Sequence, residues 1–184
     1  VVNLLKTHRR VPVVDFHGKL VNLVTQSDII TFLKFDDSLL GAHGQKTLKE
    51  LGIAEPKTVV SVLDTDQALA AFKKISKNNV SAVAVVNAQG IIVGNISATD
   101  VRLIDGSGDL ISRMFLKASE FLTRMQAEHV IPPKPLTVMP TSTLNDALRL
   151  MVTHKVHRVY VVSDKTKQVP VGVVSMTDIL SILN

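Results

Sequence analysis

Residues 170–183 read PVGVVSMTDILSIL, and the chain contains this pattern again. VGNISATDVRLI, Val93–Ile104, repeats its order: a β-type apolar run, a Ser, then Thr-Asp, then helix-like apolar spacing. KLVNLVTQSDIITFL, Lys19–Leu33, is a third and weaker copy, with Thr25 and Ser27-Asp28 in the matching places. A motif returning at this period means one structural unit used several times, which decides the architecture before any single residue is read.

Reading backward from each Asp extends the unit. Val159–Val162, the polar turn Ser163–Gln168 and Val171–Ser175 precede Asp178. Val83–Val86, Asn87–Gly90 and Ile91–Ser97 precede Asp100, and Val11–Val14, Asp15–Gly18 and Leu20–Thr25 precede Asp28. β-Branched runs around Asn/Asp/Gly turns predict three β-hairpins. Two copies carry an amphipathic helix before the hairpin. Ala68, Ala71, Phe72 and Ile75 stand at i, i+3, i+4, i+7, as do Leu144, Ala147, Leu148 and Met151. Thr65-Asp66 and Thr141-Ser142-Thr143 are the N-cap candidates. Short strands, Val59–Leu63 and Leu136–Met139, precede these helices. The unit is strand, helix, strand, strand, helix. In the first copy only Val1–Lys6 stand where the end of its first helix belongs, so the reading expects a longer parent chain.

This unit resembles the CBS domain, the repeat named for cystathionine β-synthase. Tandem pairs, called Bateman modules, bind adenine nucleotides between repeats. Lys46–Ile53, Val80-Ser81-Ala82, Val156-His157-Arg158-Val159 and Gly172–Leu180 further resemble the γ regulatory subunits of SNF1/AMP-activated protein kinases, which string four repeats together. The expected fold is α/β. Residues 1–33 form the C-terminal half of one repeat, 34–56 a linker, 57–104 a repeat, 105–134 an inserted helix and linker, and 135–184 a repeat. The second and third copies would make one full Bateman module.

Composition is compatible. The 184 residues are 46% hydrophobic but only 4% aromatic, which suits small units packed from Val, Ile, Leu and Ala. Without Cys there is neither a disulfide framework nor thiol chemistry. No apolar run approaches the ~20 residues of a membrane helix, and residues 1–20 do not read as a signal peptide. The expectation is a cytoplasmic or nuclear protein without a membrane partner. The net charge of +5 suits an anionic ligand or a solvated surface. With one Tyr, six Phe and no Trp, the chain offers little for base stacking, so nucleic acid is not the expected partner.

Asp28, Asp100 and Asp178 open short helices. There a carboxylate satisfies free backbone N–H groups and complements the helix dipole. It could equally accept hydrogen bonds from a ribose diol. The resemblance favours the second role, because the matching Asp of CBS repeats anchors ribose, and it implies that Ser97, Thr99, Ser175 and Thr177 line the same pocket. His157-Arg158 precedes an apolar strand. The pair is either one helix-end cap beside a solvated residue or a clamp for phosphate oxygens. The resemblance implies the clamp. Arg9-Arg10 keep basic side chains at the matching positions, whereas Ser81-Ala82 do not, so adenosine in one repeat would meet phosphate ligands from another. Asp28 departs from γ subunits, whose second repeat often lacks this acid, and Asn22 replaces the Gly of the other copies (Gly94, Gly172).

Other chemistries fail on motif grounds. No GxxxxGK[ST] loop or G-x-S-x-G elbow is present. His154 and His157 straddle a predicted helix end with no third ligand near them in sequence. Gly106-Ser107-Gly108-Asp109 reads as a break and cap before a helix over Leu110–Met125, and Val130–Pro135 as a stiff linker. The expected function is adenylate sensing by a non-enzymatic, γ-like kinase subunit. AMP, ADP or ATP would be the ligand, with no metal beyond nucleotide-bound Mg. Kinase catalytic and scaffold subunits would be partners, and the half-repeat would be completed either by a second copy or by preceding chain. The alternatives are a regulatory domain of a longer enzyme or transporter, and a nucleotide-free interaction scaffold.

Overall fold

The computed structural model of the chain describes residues 1–103, 109–128 and 134–183. The first copy contributes α1 (Val2–Thr7), β1 (Arg10–Val14), β2 (Leu20–Thr25) and α2 (Gln26–Phe35). The middle copy contributes β3 (Ser61–Leu63), α3 (Ala68–Lys77), β4 (Ala82–Val86), β5 (Ile92–Ser97) and a 3-10 helix over Ala98–Leu103. After α4 (Asp109–Met114) and α5 (Ala118–Ala127), the last copy contributes β6 (Thr137–Val138), α6 (Leu144–Thr153), β7 (Arg158–Val162), β8 (Pro170–Ser175) and α7 (Met176–Ser181). The sheets have the orders β1-β2, β3-β4-β5 and β6-β7-β8. β3 runs parallel to β4 and β4 antiparallel to β5, so α3 is the crossover of a β-α-β unit.

The two amphipathic helix patterns fold as their spacing predicts, with local corrections. Thr143 caps α6 through a reciprocal box with Asp146. Thr65-Asp66 do not cap α3. Its N-cap is Gln67, without a side-chain bond, because the Asp66 carboxylate accepts instead from the Leu63 N–H at 3.0 Å. Both helices end alike, with Asn79 and Lys155 in the left-handed region at φ 50° and 52°. The next N–H reaches back to Ile75 O or Met151 O, which closes a Schellman cap. The hairpin turns of the first two copies also match. Asp15 and Asn87 each accept two backbone N–H bonds, and Gly18 and Gly90 take φ 77° and 76°.

The single helix expected over Leu110–Met125 is two, α4 and α5. The chain around Lys117 bonds to the start of α3 rather than to itself. Ala68 N–H donates to Leu116 O, Ala118 N–H to Asp66 O and Ser119 N–H to Asp64 O. These groups therefore cannot close i→i−4 bonds in one continuous helix. The segment after the first copy repeats the device on α6: Leu144 N–H donates to Lys46 O, Leu48 N–H to Ser142 O and Lys49 N–H to Pro140 O. Leu48 is fully buried, so residues 46–53 are a docked element of the core. Likewise the helix after Asp100 is 3-10 rather than α. The Gly106–Gly108 loop and Val130–Pro133 lie outside the described residues.

The chain divides into two compact units. Val1–Pro56, Val138–Val161 and Val173–Asn184 form one; Lys57–Thr137 and Val162–Gly172 form the other. In the first unit α2 packs against α6 and α7, and α1 against α7 and β1. Leu5, Ile30, Leu144, Leu148, Met151, Ile179 and Leu180 fill its core. The second unit centres on Ala68, Ala71, Val83, Val85, Ile96, Phe121 and Met125. There Phe72 meets Phe121 edge-to-face, with centroids 6.1 Å apart.

Candidate functional site

In each copy the second hairpin strand runs into a helix through Ser or Thr. Thr25 Oγ1 accepts from Asp28 N–H at 3.3 Å, while Asp28 Oδ2 accepts from Thr25 N–H and Oγ1–H, both at 2.8 Å. Ser175 and Asp178 repeat this box, with 3.3, 2.8 and 2.6 Å. In the middle copy Asp100 accepts from Ser97 N–H at 2.8 Å and from Ser97 Oγ–H at 2.6 Å. The capping role thus stands in all three copies. It does not exhaust the group, since a carboxylate offers about four acceptor positions. In Asp28, an exposed residue, the box uses Oδ2 and leaves Oδ1 outside it.

A second bond fixes what lies beneath each helix start. Gln26 N–H donates to Arg9 O at 3.2 Å, Ala98 N–H to Ser81 O at 3.0 Å and Met176 N–H to His157 O at 3.1 Å. Arg9, Ser81 and His157 are therefore structural equivalents, as their sequence positions suggest. In the first unit the starts of α2 and α7 also meet. Gln26 Nε2–H donates to Thr177 Oγ1 at 3.1 Å, and Ser27 Oγ–H approaches Met176 Sδ at 3.6 Å.

Two basic pairs from distant parts of the sequence, Arg9-Arg10 and His157-Arg158, thereby fall in one neighbourhood. Desolvation by burial first, then the charges of Arg158, Arg9 and Arg10, hold His157 below the usual histidine pKa. It is predominantly uncharged at pH 7. Arg9 and Arg10 are exposed and make no ion pair among the described residues, and Arg158 is half-buried. Guanidinium forks, an imidazole and hydroxyls beside capped carboxylates suit a phosphate ester carried on a diol-bearing sugar.

The second unit holds Ser97, Thr99 and Asp100. Ser97 Oγ and Thr99 Oγ1 are 2.7 Å apart, and Asp100 is 7% exposed. Ser81-Ala82 give this site no cation. In the first copy Thr25 and Ser27 align with Ser97/Ser175 and Thr99/Thr177, which makes them equivalent candidates; Gln26 has no polar counterpart in the other copies, so the repeat does not mark it. Among the described residues no group of three or more His, Cys, Asp or Glu side chains is placed to hold a metal ion. No described helix is long and apolar enough to cross a membrane.

Comparison with known proteins agrees with this arrangement. The chain is 28% identical over 191 residues to an SNF1-related protein kinase regulatory subunit gamma-1-like protein of Arabidopsis thaliana, covering 94% of this chain and 41% of the relative. It is 30% identical to 5'-AMP-activated protein kinase subunit gamma-3 of Sus scrofa, covering 95% and 33%. It is 32% identical to Protein sds23 of Neosartorya fischeri, covering 83% and 30%. The chain thus spans between 30% and 41% of the length of these relatives. In fold it matches Methanocaldococcus jannaschii protein MJ1225, described as "a putative archaeal homolog of g-AMPK", with TM-score 0.74 and 18% identity over 100% of this chain and 62% of that one. It also matches a Pyrobaculum aerophilum CBS domain protein complexed with AMP, with TM-score 0.53 and 22% identity over 72% and 89%. The CBS domain model matches residues 1–34, 56–105 and 127–184, so the chain, an α/β protein of tandem repeats resembling kinase γ subunits, belongs to the CBS domain family.

Proposed function

We propose that the chain is an adenine-nucleotide-sensing regulatory module, the γ-like part of an SNF1/AMP-activated-type kinase, and not itself an enzyme. The gathering of Arg9-Arg10 and His157-Arg158 under two helix starts carries this reading, because it concentrates phosphate-binding groups where sugar-binding groups already stand. Asp28, Asp100 and Asp178 take the ribose diol, Ser97, Thr99, Ser175 and Thr177 line the pockets, and the basic pairs meet phosphate. AMP, ADP and ATP compete, and whichever favours a given geometry shifts its population. The kinase catalytic and scaffold subunits read that shift.

A second reading is favoured by length. Because the chain spans well under half of its relatives, the same module can serve as a CBS regulatory domain within a longer enzyme or transporter.

Calorimetry with AMP, adenosine and ATP tests the nucleotide reading. Arg158→Ala is expected to weaken AMP by ~10–100-fold and adenosine far less, because only AMP brings charge to the guanidinium. Equal loss for both ligands would assign Arg158 to the fold. No binding of any of the three to the unmodified chain would favour a nucleotide-free scaffold.

A further inference from the structure

Gln26 is the first residue of α2, and the equivalent positions hold Ala98 and Met176, so only the first copy places a carboxamide there. Its Nε2 has two hydrogens, and both are used. One goes to Leu5 O at 2.7 Å, the other to Thr177 Oγ1 at 3.1 Å. Leu5 O belongs to the last turn of α1, where carbonyls lack an intrahelical donor. Carbonyl oxygen only accepts, so this bond fixes which end of the carboxamide is nitrogen. The end that faces Thr177 is therefore a donor, and the Thr177 hydroxyl accepts. That hydroxyl keeps its own hydrogen for another partner. Thr177 is exposed and adjoins Asp178.

We infer that Gln26, from the first copy, is a positioning residue for the candidate site of the last copy: it sets the Thr177 hydroxyl as a hydrogen-bond donor toward ligand oxygen, beside Asp178 as acceptor. The inference rests on the nucleotide reading above. On it, the α7 site is incomplete without the first copy, although every residue the repeat motif assigns to that site lies in the last.

The test is a double-mutant cycle on the full chain, with AMP as the calorimetric probe. Gln26→Met, which installs the residue of the last copy, is expected to weaken AMP by ~3–10-fold, the scale of one neutral hydrogen bond. Thr177→Val is expected to do the same, and the double variant to lose no more than either single one. Gln26→Glu is isosteric but can only accept. It would turn the Thr177 hydrogen inward and should weaken AMP more than Gln26→Met does. Additive losses, or an unchanged affinity in Gln26→Met, would overturn the inference while leaving the nucleotide reading intact. If the unmodified chain binds no AMP, both fall together. Thr177→Val, at an exposed position, interrogates the same bond should loss of the Leu5 contact unfold α1.

Discussion

At the scale of residues, each helix-opening Asp has one established task and one proposed task. As N3 of a capping box, at Asp28 and Asp178, it stabilises its helix, so Asp178→Ala should cost about 0.5–2 kcal/mol in denaturant unfolding. If it also anchors ribose, Asp178→Ala and Asp100→Ala should each weaken AMP at one site by about 1.5–3 kcal/mol. Loss of stability with unchanged AMP affinity in both would confine these residues to capping. His157 gives a pH signature. Its folded pKa lies below the unfolded value of about 6.5, so the unfolded chain binds the proton more readily. The resulting penalty is absent well above pH 6.5, grows as pH falls through the unfolded pKa, and levels off below the folded one. His157→Gln should therefore lose less melting temperature than the parent between pH 8 and pH 5. Parallel curves would mean that neither burial nor its cationic neighbours lower the His157 pKa.

At the scale of elements, one glycine shows why copies of a repeat diverge. A Cβ on Gly94 would run into the Leu122 side chain of α5, so β5 carries glycine where that helix packs on it. In the first copy the same position is Asn22, exposed, with its Oδ1 accepting from Leu23 N–H at 2.7 Å. Gly94→Ala should cost about 1–3 kcal/mol by overpacking. Adding Leu122→Ala should recover part of that loss, a non-additivity expected of residues in contact. Full additivity in chemical unfolding would refute the contact. Pro12 shows a second divergence. Its counterpart Ala84 donates its N–H to Val60 O at 3.0 Å, along β3. Proline has no N–H to give, so the outer edge of β1 is blunted against strand addition.

At the scale of the molecule, the hairpin of the first copy is far more exposed than that of the middle copy. Val83–Val86 of β4 are at most 8% exposed, whereas Val14, Leu20 and Val21 on β1 and β2 are 55%, 61% and 57% exposed, and Phe16 at the turn is fully so. Exposed apolar side chains of this kind favour association, and the blunted edge points to burial of a sheet face rather than strand pairing. The 184-residue chain is therefore expected to self-associate with rising concentration in sedimentation velocity. Replacing Val14 and Leu20 by Lys should shift it toward monomer. A parent chain that stays monomeric throughout, with the hairpin ordered, would sink this expectation.

The repeat, the hairpins, the amphipathic stripes of α3 and α6 and the three helix-opening acids were all legible in the sequence. They rest on local rules: alternation in strands, i/i+3/i+4 spacing in helices, and caps within three residues. Tertiary structure alone decided the rest. The break at Lys117 arises because backbone groups there bond to a segment some fifty residues earlier, and no local propensity reports that. The burial of Leu48 and the union of Arg9-Arg10 with His157-Arg158 come from packing between parts of the chain more than ninety residues apart. Gln26 is the plainest case. Nothing in its neighbours marks it, and its importance comes from Leu5 and Thr177 lying on either side of one carboxamide nitrogen. Covalent order determines which elements can form, but desolvation and hydrogen-bond satisfaction across those elements determine which side chains share a site.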